Sequence, residues 1–395
     1  MLTYMGRKKA RQASRMHLLW IVPLLLLCLF PFVARADELT ELKDRVDRQE
    51  KLIDGLKAEI EQYMAAAPQA ENSLYSANLT VFGDINFSTK ARNARHSEFS
   101  FGEFDFYSSF DYGDKLNFLS EMVIEADDNA FELDFERLLI SYSFSDLLKL
   151  SAGLYHTSIG YWNEAYHHGK QFYATVDRPF FLAYEHDGGV VPVHMMGMEL
   201  EGGIRTSHAR YEYELDISNG AKIDQTNGVL ERNIDSDDND SKGITLKLVV
   251  EPVALPGLEA GFSVASFKID TSAKPGLNQR IYAVHMVYDN DEGAEAMAEY
   301  FRFDNADAAA DAFYVQLVYT VAEDITPYLR YESLDIDYAD PYFKDLKGGM
   351  DRRQTIAGVR YDIADRSAIK AQVRRDGSRG GNTFNVFEMQ WAFNF

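Results

Sequence analysis

The chain has 395 residues, with 62 Asp and Glu against 40 Lys and Arg, a formal net charge of −22 at pH 7, and a single cysteine. So acidic a balance disfavours nucleic acid as a partner, because a polyanion is held by excess positive charge. One cysteine excludes an internal disulfide framework, and a mean hydropathy of −0.30 fits either a soluble acidic protein or a sheet whose two faces differ in polarity.

Taken in chain order, the first element is an export address. Arg7, Lys8, Lys9, Arg11 and Arg15 precede an apolar run over 18–33 that closes on Ala34, Arg35 and Ala36, the grammar of a signal peptide with cleavage after Ala36. Pro23 and Pro31 interrupt that run, and it falls short of the ~18 unbroken apolar residues of a spanning helix. Cys28 leaves with it. Because residues 1–36 hold six of the basic residues and no acid, the mature chain sets 34 Lys and Arg against 62 acids, a balance of −28.

Residues 37–64 form the second element. Leu39, Leu42, Val46, Gln49, Ile53, Leu56, Ile60 and Tyr63 fall at alternating spacings of three and four, which is a heptad seam. Val46, Ile53 and Ile60 occupy one core register and Leu42 and Leu56 the other, the pattern of a parallel coiled coil. A helix this short is marginal alone and needs sister subunits or a folded neighbour; Gln49 would fix register or copy number. One amphipathic helix lying against a neighbouring domain is the simpler alternative. Residues 65–78 read as a small-residue and polar linker.

From Leu79 the period changes to two, which is the period of a β-strand. Phe104, Phe106, Phe110 and Tyr112 interleave with Glu103, Asp105, Ser109 and Asp111; Tyr211, Tyr213, Leu215 and Ile217 with Arg210, Glu212, Glu214 and Asp216; Ile244, Leu246, Leu248 and Val250 with Thr245, Lys247, Val249 and Glu251. Tight connectors at 113–115, 145–146, 205–208, 289–293, 322–324 and 364–366 alternate with longer ones at 88–97, 156–192, 220–242, 268–279 and 338–350. Counting segments gives about sixteen strands over 79–395. An even number closes the sheet and leaves no edge, and a cylinder this wide is expected to enclose a water-filled lumen rather than a packed core. The fold expected is therefore all-β, an antiparallel transmembrane β-barrel preceded by a short α-helical coiled coil.

The last strand carries the first resemblance. Asn385, Phe387, Met389, Trp391, Phe393 and Phe395 alternate with Val386, Glu388, Gln390, Ala392 and Asn394, which resembles the closing strand of a bacterial outer-membrane barrel with lipid on one side and a lumen on the other. A second lies in "FERLLISYSFSDLLKLSAGLYHTSIGYWN" (135–163), which resembles the fourth and fifth strands of porins related to the phosphate-selective porins, with Gly153, Thr157, Ser158 and Gly160 at the positions of a Gly-x-x-x-Thr-Pro-x-Gly segment. Ser158 stands where that pattern has proline. The acidic stretch 235–243 is similar to an ordinary porin loop, and the added coiled coil resembles trimeric porins with periplasmic stalks. The resemblance implies a homo-oligomer, a trimer, in the Gram-negative outer membrane, with the coiled coil in the periplasm, outer-membrane lipid around it, and small polar solutes as cargo.

In general porins the third outer loop folds inward to narrow the channel; the matching connector here, 156–192, is the longest and chemically densest. It holds Glu164, His167, His168, Asp177, Arg178, Glu185, His186 and Asp187, expected to form the constriction. If 161–170 were helical, Glu164, His167 and His168 would share a face at offsets of three and four and could hold zinc, copper or iron; the plainer reading is that they hydrogen-bond the loop to the wall. On strand parity Arg330, Arg360, Lys370 and Arg374 face the lumen, as do Glu121 and Glu125. A cationic wall opposite an acidic loop sets a field across the constriction, unless those arginines merely pair with neighbouring acids. Asp235, Asp237 and Asn239 have calcium-loop spacing, but Asp240 replaces the turn glycine and Leu246 the closing glutamate. No nucleophile elbow or phosphate loop is present. The expected function is a non-enzymatic porin without cofactor; the alternatives are a structural barrel anchoring the coiled coil, or a metal-handling channel.

Overall fold

A computed structural model describes Lys51 and residues 74–395, apart from 90–95, 128–129, 167–168, 235–236, 238, 291, 379–380 and 382. The signal peptide, the coiled coil and most of the linker lie outside the described residues. The strands are β1 (Tyr75–Ser88), β2 (Glu98–Tyr112), β3 (Leu116–Asp127), β4 (Ala130–Ser145), β5 (Leu148–His156), β6 (His194–Arg205), β7 (Ala209–Ser218), β8 (Ala221–Asp224) and β9 (Val229–Arg232). They continue as β10 (Gly243–Pro252), β11 (Leu258–Ile269), β12 (Leu277–Asp289), β13 (Ala294–Asn305), β14 (Ala308–Tyr319), β15 (Ile325–Asp335), β16 (Arg352–Ala364), β17 (Ser367–Gly377) and β18 (Phe384–Asn394).

Sixteen of these close into one antiparallel barrel; β8 and β9 form a separate hairpin within the connector between β7 and β10. Each barrel strand pairs with its chain neighbour, and β1 closes the cylinder on β18 in the register Phe82↔Asn394 through Ser88↔Glu388. Phe395 completes the seam by exchanging backbone hydrogen bonds with Val81, at 2.9 and 3.1 Å. β1 starts at Tyr75, four residues before Leu79, because its first residues pair with the far end of β2, Tyr75 opposite Tyr112.

The strands form because their side chains suit two different media at a spacing of two. Along β18, Glu388, Gln390 and Ala392 are buried inward while Phe387, Met389 and Trp391 face out, Trp391 half exposed at 50% against 1% for Gln390. The same alternation runs through β10. Phe104 packs edge-on against Phe106 on the outer face of β2, ring centroids 5.2 Å apart. Among the described residues no helix is long and apolar enough to cross a membrane; a barrel would cross with its strands.

The connectors segregate by rim. Those at 113–115, 146–147, 206–208, 253–257, 290–293, 320–324 and 365–366 lie at one rim, together with Phe395; the other rim carries 157–193, 219–242 and 336–351. One connector at this second rim, 306–307, is as short as any turn, so length alone does not separate the rims.

Candidate functional site: the lumen and its third loop

The connector 157–193 leaves β5 and turns into the barrel. Thr157 Oγ1 donates to Pro192 O at 2.7 Å and Ser158 Oγ to Asp216 Oδ2 at 2.6 Å, so the two ends of the loop are clamped where they enter. Gly160 adopts a φ of +83°, and a Cβ there would stand 2.5 Å from Glu299 Oε2; only glycine permits this approach. Glu299 on β13 then accepts the N–H groups of Tyr161 (2.6 Å) and Trp162 (3.1 Å) and the Tyr314 hydroxyl (2.8 Å). A carboxylate thereby satisfies the orphan donors of the short helix α1 (Trp162–Ala165).

Beyond α1 the loop packs into one side of the lumen. Trp162 is fully buried, its ring 5.6 Å from that of Tyr314 and 5.4 Å from Tyr173. Phe181 meets Phe301 at 5.5 Å, within a cluster that joins Leu182, Val190 and Val191 to the inward faces of β11–β15, the β8–β9 hairpin and a second short helix, α2 (Pro341–Asp345). Tyr342 of α2 donates to Val190 O at 2.7 Å. The expectation of a water-filled lumen rather than a packed core is therefore corrected on one side, where an apolar cluster packs the loop against β11–β15. Its inward positions include Phe267, Ile281, Phe301, Phe303 and Leu334, beside buried Ser263, Gln279, Glu299 and Gln316, and apolar groups facing one another exclude water.

On the other side, 170–178 reaches β15–β18, β1 and β2. Arg330 gives one guanidinium nitrogen to Thr175 Oγ1 (2.9 Å) and another to Arg178 O (3.1 Å), while its Nε pairs with Glu332 at 2.9 Å. Lys370 donates to Thr175 O (2.7 Å) and Lys170 O, and Arg360 to Tyr173 O (3.2 Å) and Gln171 O. Gln372 accepts the Val176 N–H at 3.1 Å. Lys170 completes the span, 3.6 Å from Asp84 and 3.4 Å from Glu103; burial opposes its charge, but these carboxylates hold its pKa well above the usual lysine value.

Three of the four lumen-wall cations read from strand parity, Arg330, Arg360 and Lys370, thus tie loop carbonyls to the wall. The fourth, Arg374, lines a cavity of ≈ 270 Å³ with Arg330, Arg352, Arg178, Asp177 and Asp187. Arg374 pairs with Glu388 and, at 3.0 Å, with Asp376, and Arg352 with Asp376 at 2.7 Å. Arg178 stacks over Tyr184, 4.3 Å from the ring centroid. Sequence reasoning missed Arg352, Lys170, Glu103 and Glu299; the even spacing from Arg352 to Gln354 and Arg360 was the available signal for the first.

Other site residues take different places. Glu164 pairs with Lys247 on β10. Glu121 holds Arg137 at 2.6 Å, and Glu125 lies 3.3 Å from His186, which is also 3.8 Å from Asp187; burial alone would lower the His186 pKa, but Asp187 and Glu125 raise it above its ordinary 6.5. Glu185 is buried and accepts the backbone N–H groups of Val193 (2.8 Å) and His194 (2.7 Å) and a His194 ring nitrogen at 2.9 Å. Burial pushes its carboxyl up, but the charge and hydrogen bonds of His194 prevail and bring it down to about 2. It is a latch on the loop's outgoing leg, not a pore-facing acid as expected. His167 and His168 lie outside the described residues. α1 ends at Ala165, with Tyr166 extended. Among the described residues no group of three His, Cys, Asp or Glu is placed to hold a metal ion.

The closed sixteen-stranded antiparallel barrel is the fold of outer-membrane porins. An anion-selective porin from Comamonas acidovorans matches at a TM-score of 0.55 with 12% identity, over 81% of this chain and 100% of its own. The outer-membrane channel DcaP of Acinetobacter baumannii matches at 0.55 with 11% identity, over 81% and 97%. The trimer form of OmpT, an outer membrane protein of Vibrio cholerae, matches at 0.51 with 12% identity, over 81% and 99%. No protein-family model and no curated protein matches the chain.

Proposed function

We propose that this chain is a passive diffusion channel of the Gram-negative outer membrane, admitting small polar or charged solutes past an inward-folded third loop. The carrying observation is the cavity where loop acids Asp177 and Asp187 and basic groups Arg178, Arg352 and Arg374 line one space. Charges of both signs across a narrow aqueous gap set a transverse field, which aligns dipolar solutes and sorts ions by sign. No covalent chemistry is needed: solutes move down their gradient, and the charged lining replaces part of their hydration. In this reading the rim bearing 157–193 faces outward, the opposite rim faces the periplasm, and the coiled coil expected at 37–64 joins three copies; the trimer form of OmpT supports that stoichiometry.

Planar-bilayer recording tests the proposal. Discrete steps, with a reversal potential displaced from zero in a salt gradient, are expected of the purified protein; their absence across preparations that retain the folded barrel overturns it. A second reading, a barrel that mainly anchors the coiled coil, draws support from the apolar packing of the loop against one lumen side and predicts no resolvable steps.

A further inference from the structure

On the outer wall two arginines of adjacent strands stand side by side with no salt bridge among the described residues. Arg353 is the second residue of β16 and Arg375 lies two residues before the end of β17. Register places Arg375 opposite Thr355 and Arg353 opposite Gly377, so the two arginines are diagonal neighbours on one face. That face is outward: both are exposed, on the parity of Val359 and Val373 and opposite that of buried Gln354 and Arg374's inward partner Glu388. Among the described residues neither Arg353 nor Arg375 takes part in a salt bridge or side-chain hydrogen bond. Elsewhere on the outer wall the arginine of β13 is neutralised, Arg302 meeting Asp311 at 2.7 Å.

Two like charges on adjacent strands without an acid between them cost stability, which a bound anion would offset. They line a pocket of ≈ 200 Å³ together with Thr355, Gly377, Ser378 and Thr383, three hydroxyl donors beside two guanidinium forks. A Cβ on Gly377 would stand 3.1 Å from Thr383 Oγ1, so glycine keeps that hydroxyl close to the strand. Forked donors with hydroxyls suit a tetrahedral oxyanion. The depth suits a headgroup: from Tyr361, paired with Ile369 near the turn rim, eight residues of strand at ~3.3 Å each and a ~40° tilt lift Arg353 by roughly 20 Å, close to the opposite edge of the apolar band.

We propose that Arg353, Arg375, Thr355, Ser378 and Thr383 form a binding site on the outer wall for the phosphate of an anionic membrane lipid at the loop-rim leaflet. The site rests on the barrel spanning a membrane, but not on its conducting.

Native mass spectrometry of the detergent-released full chain tests it, with phosphatidic acid as the phosphate-monoester lipid, phosphatidylcholine as control and inorganic phosphate as competitor. Phosphatidic acid should be retained over phosphatidylcholine, and Arg353→Gln with Arg375→Gln should weaken that retention roughly 30-fold, from two surface charges acting together. The double lysine variant, which keeps charge but loses the forks, should fall between. Retention unchanged in the double glutamine variant overturns the site, and displacement by millimolar inorganic phosphate overturns the lipid as its occupant. Bilayer conductance of the same preparations separates the two readings: the outward substitutions should leave it unchanged, and a silent wild type that still retains phosphatidic acid would refute the channel alone. Should the glutamine pair fail to fold, Thr355→Val and Ser378→Ala, which leave both charges in place, should each reduce retention; no reduction in either overturns the site.

Discussion

The two halves of the lumen wall are built on the same sheet and behave as different materials. Across β11–β15 the inward residues include Phe267, Ile281, Phe301, Phe303 and Leu334, and the third loop packs Trp162 and Phe181 into one apolar cluster with them. Across β15–β18 and β1–β2 the inward residues include Arg330, Glu332, Lys370, Gln372, Asp84 and Glu103, and the loop meets them through hydrogen bonds of its backbone and the ion pairs of Lys170. The difference teaches that closure of the cylinder does not decide what it contains. Where the inward stripe is apolar the loop packs against it as core, and where it is charged the loop is held by hydrogen bonds and ion pairs.

The apolar half should be the more sensitive to substitution. Trp162→Ala, which opens a void in the cluster, should cost ~3–5 kcal/mol, read as a lower midpoint of denaturant unfolding in detergent; a cost below about 1 kcal/mol would show that the loop is not packed as described. Glu299→Ala should follow at roughly 1–3 kcal/mol, because it orphans the N–H groups of Tyr161 and Trp162; greater protease sensitivity of 157–193 would report the loosened loop.

The charged half should answer in selectivity instead of stability. Replacing Arg352 and Arg374 with Gln should shift the cation-to-anion permeability ratio toward cations several-fold, on the order of the local enrichment a charged cleft produces, and replacing Asp177 and Asp187 with Asn should shift it the other way. Equal shifts of one sign from both pairs would remove the transverse field. Between the halves stands the Glu185 latch. Its pKa is depressed from 4.5 to about 2, so its hold on the loop is fully present above about 4.5 and is lost as pH falls toward about 2. Current noise from loop movement should rise through that window, and Glu185→Gln should abolish the dependence. The smallest effect is expected at Lys149, 2.7 Å from Glu201 with both side chains about one-third exposed: Lys149→Gln should change stability by less than ~1 kcal/mol.

The legibility of this chain divides along the same line. The alternation of Phe387, Met389 and Trp391 with Glu388, Gln390 and Ala392 sufficed for strand, face and membrane-type barrel, because a period of two is a local property of extended backbone. The inward placement of Arg330, Arg360, Lys370, Arg374, Glu121 and Glu125 followed from parity for the same reason. What each would touch did not follow. Lys370 meets the carbonyl of Thr175, 195 residues away in sequence, and Glu299 meets Tyr161 across 138; no periodicity encodes such a distance.

The sequence by itself determined an acidic chain with a barrel of about sixteen strands and a long third loop, since those properties reside in composition, spacing and alternation. Only the tertiary structure decided that the loop's outgoing leg is latched by Glu185, that three wall cations are tied to loop carbonyls, that an apolar cluster packs one lumen side, and that Arg353 and Arg375 stand without a salt bridge on the outer face. The physical reason is that a charge acquires its role from what lies within a few ångströms, and in a closed sheet those neighbours come from strands far apart along the chain.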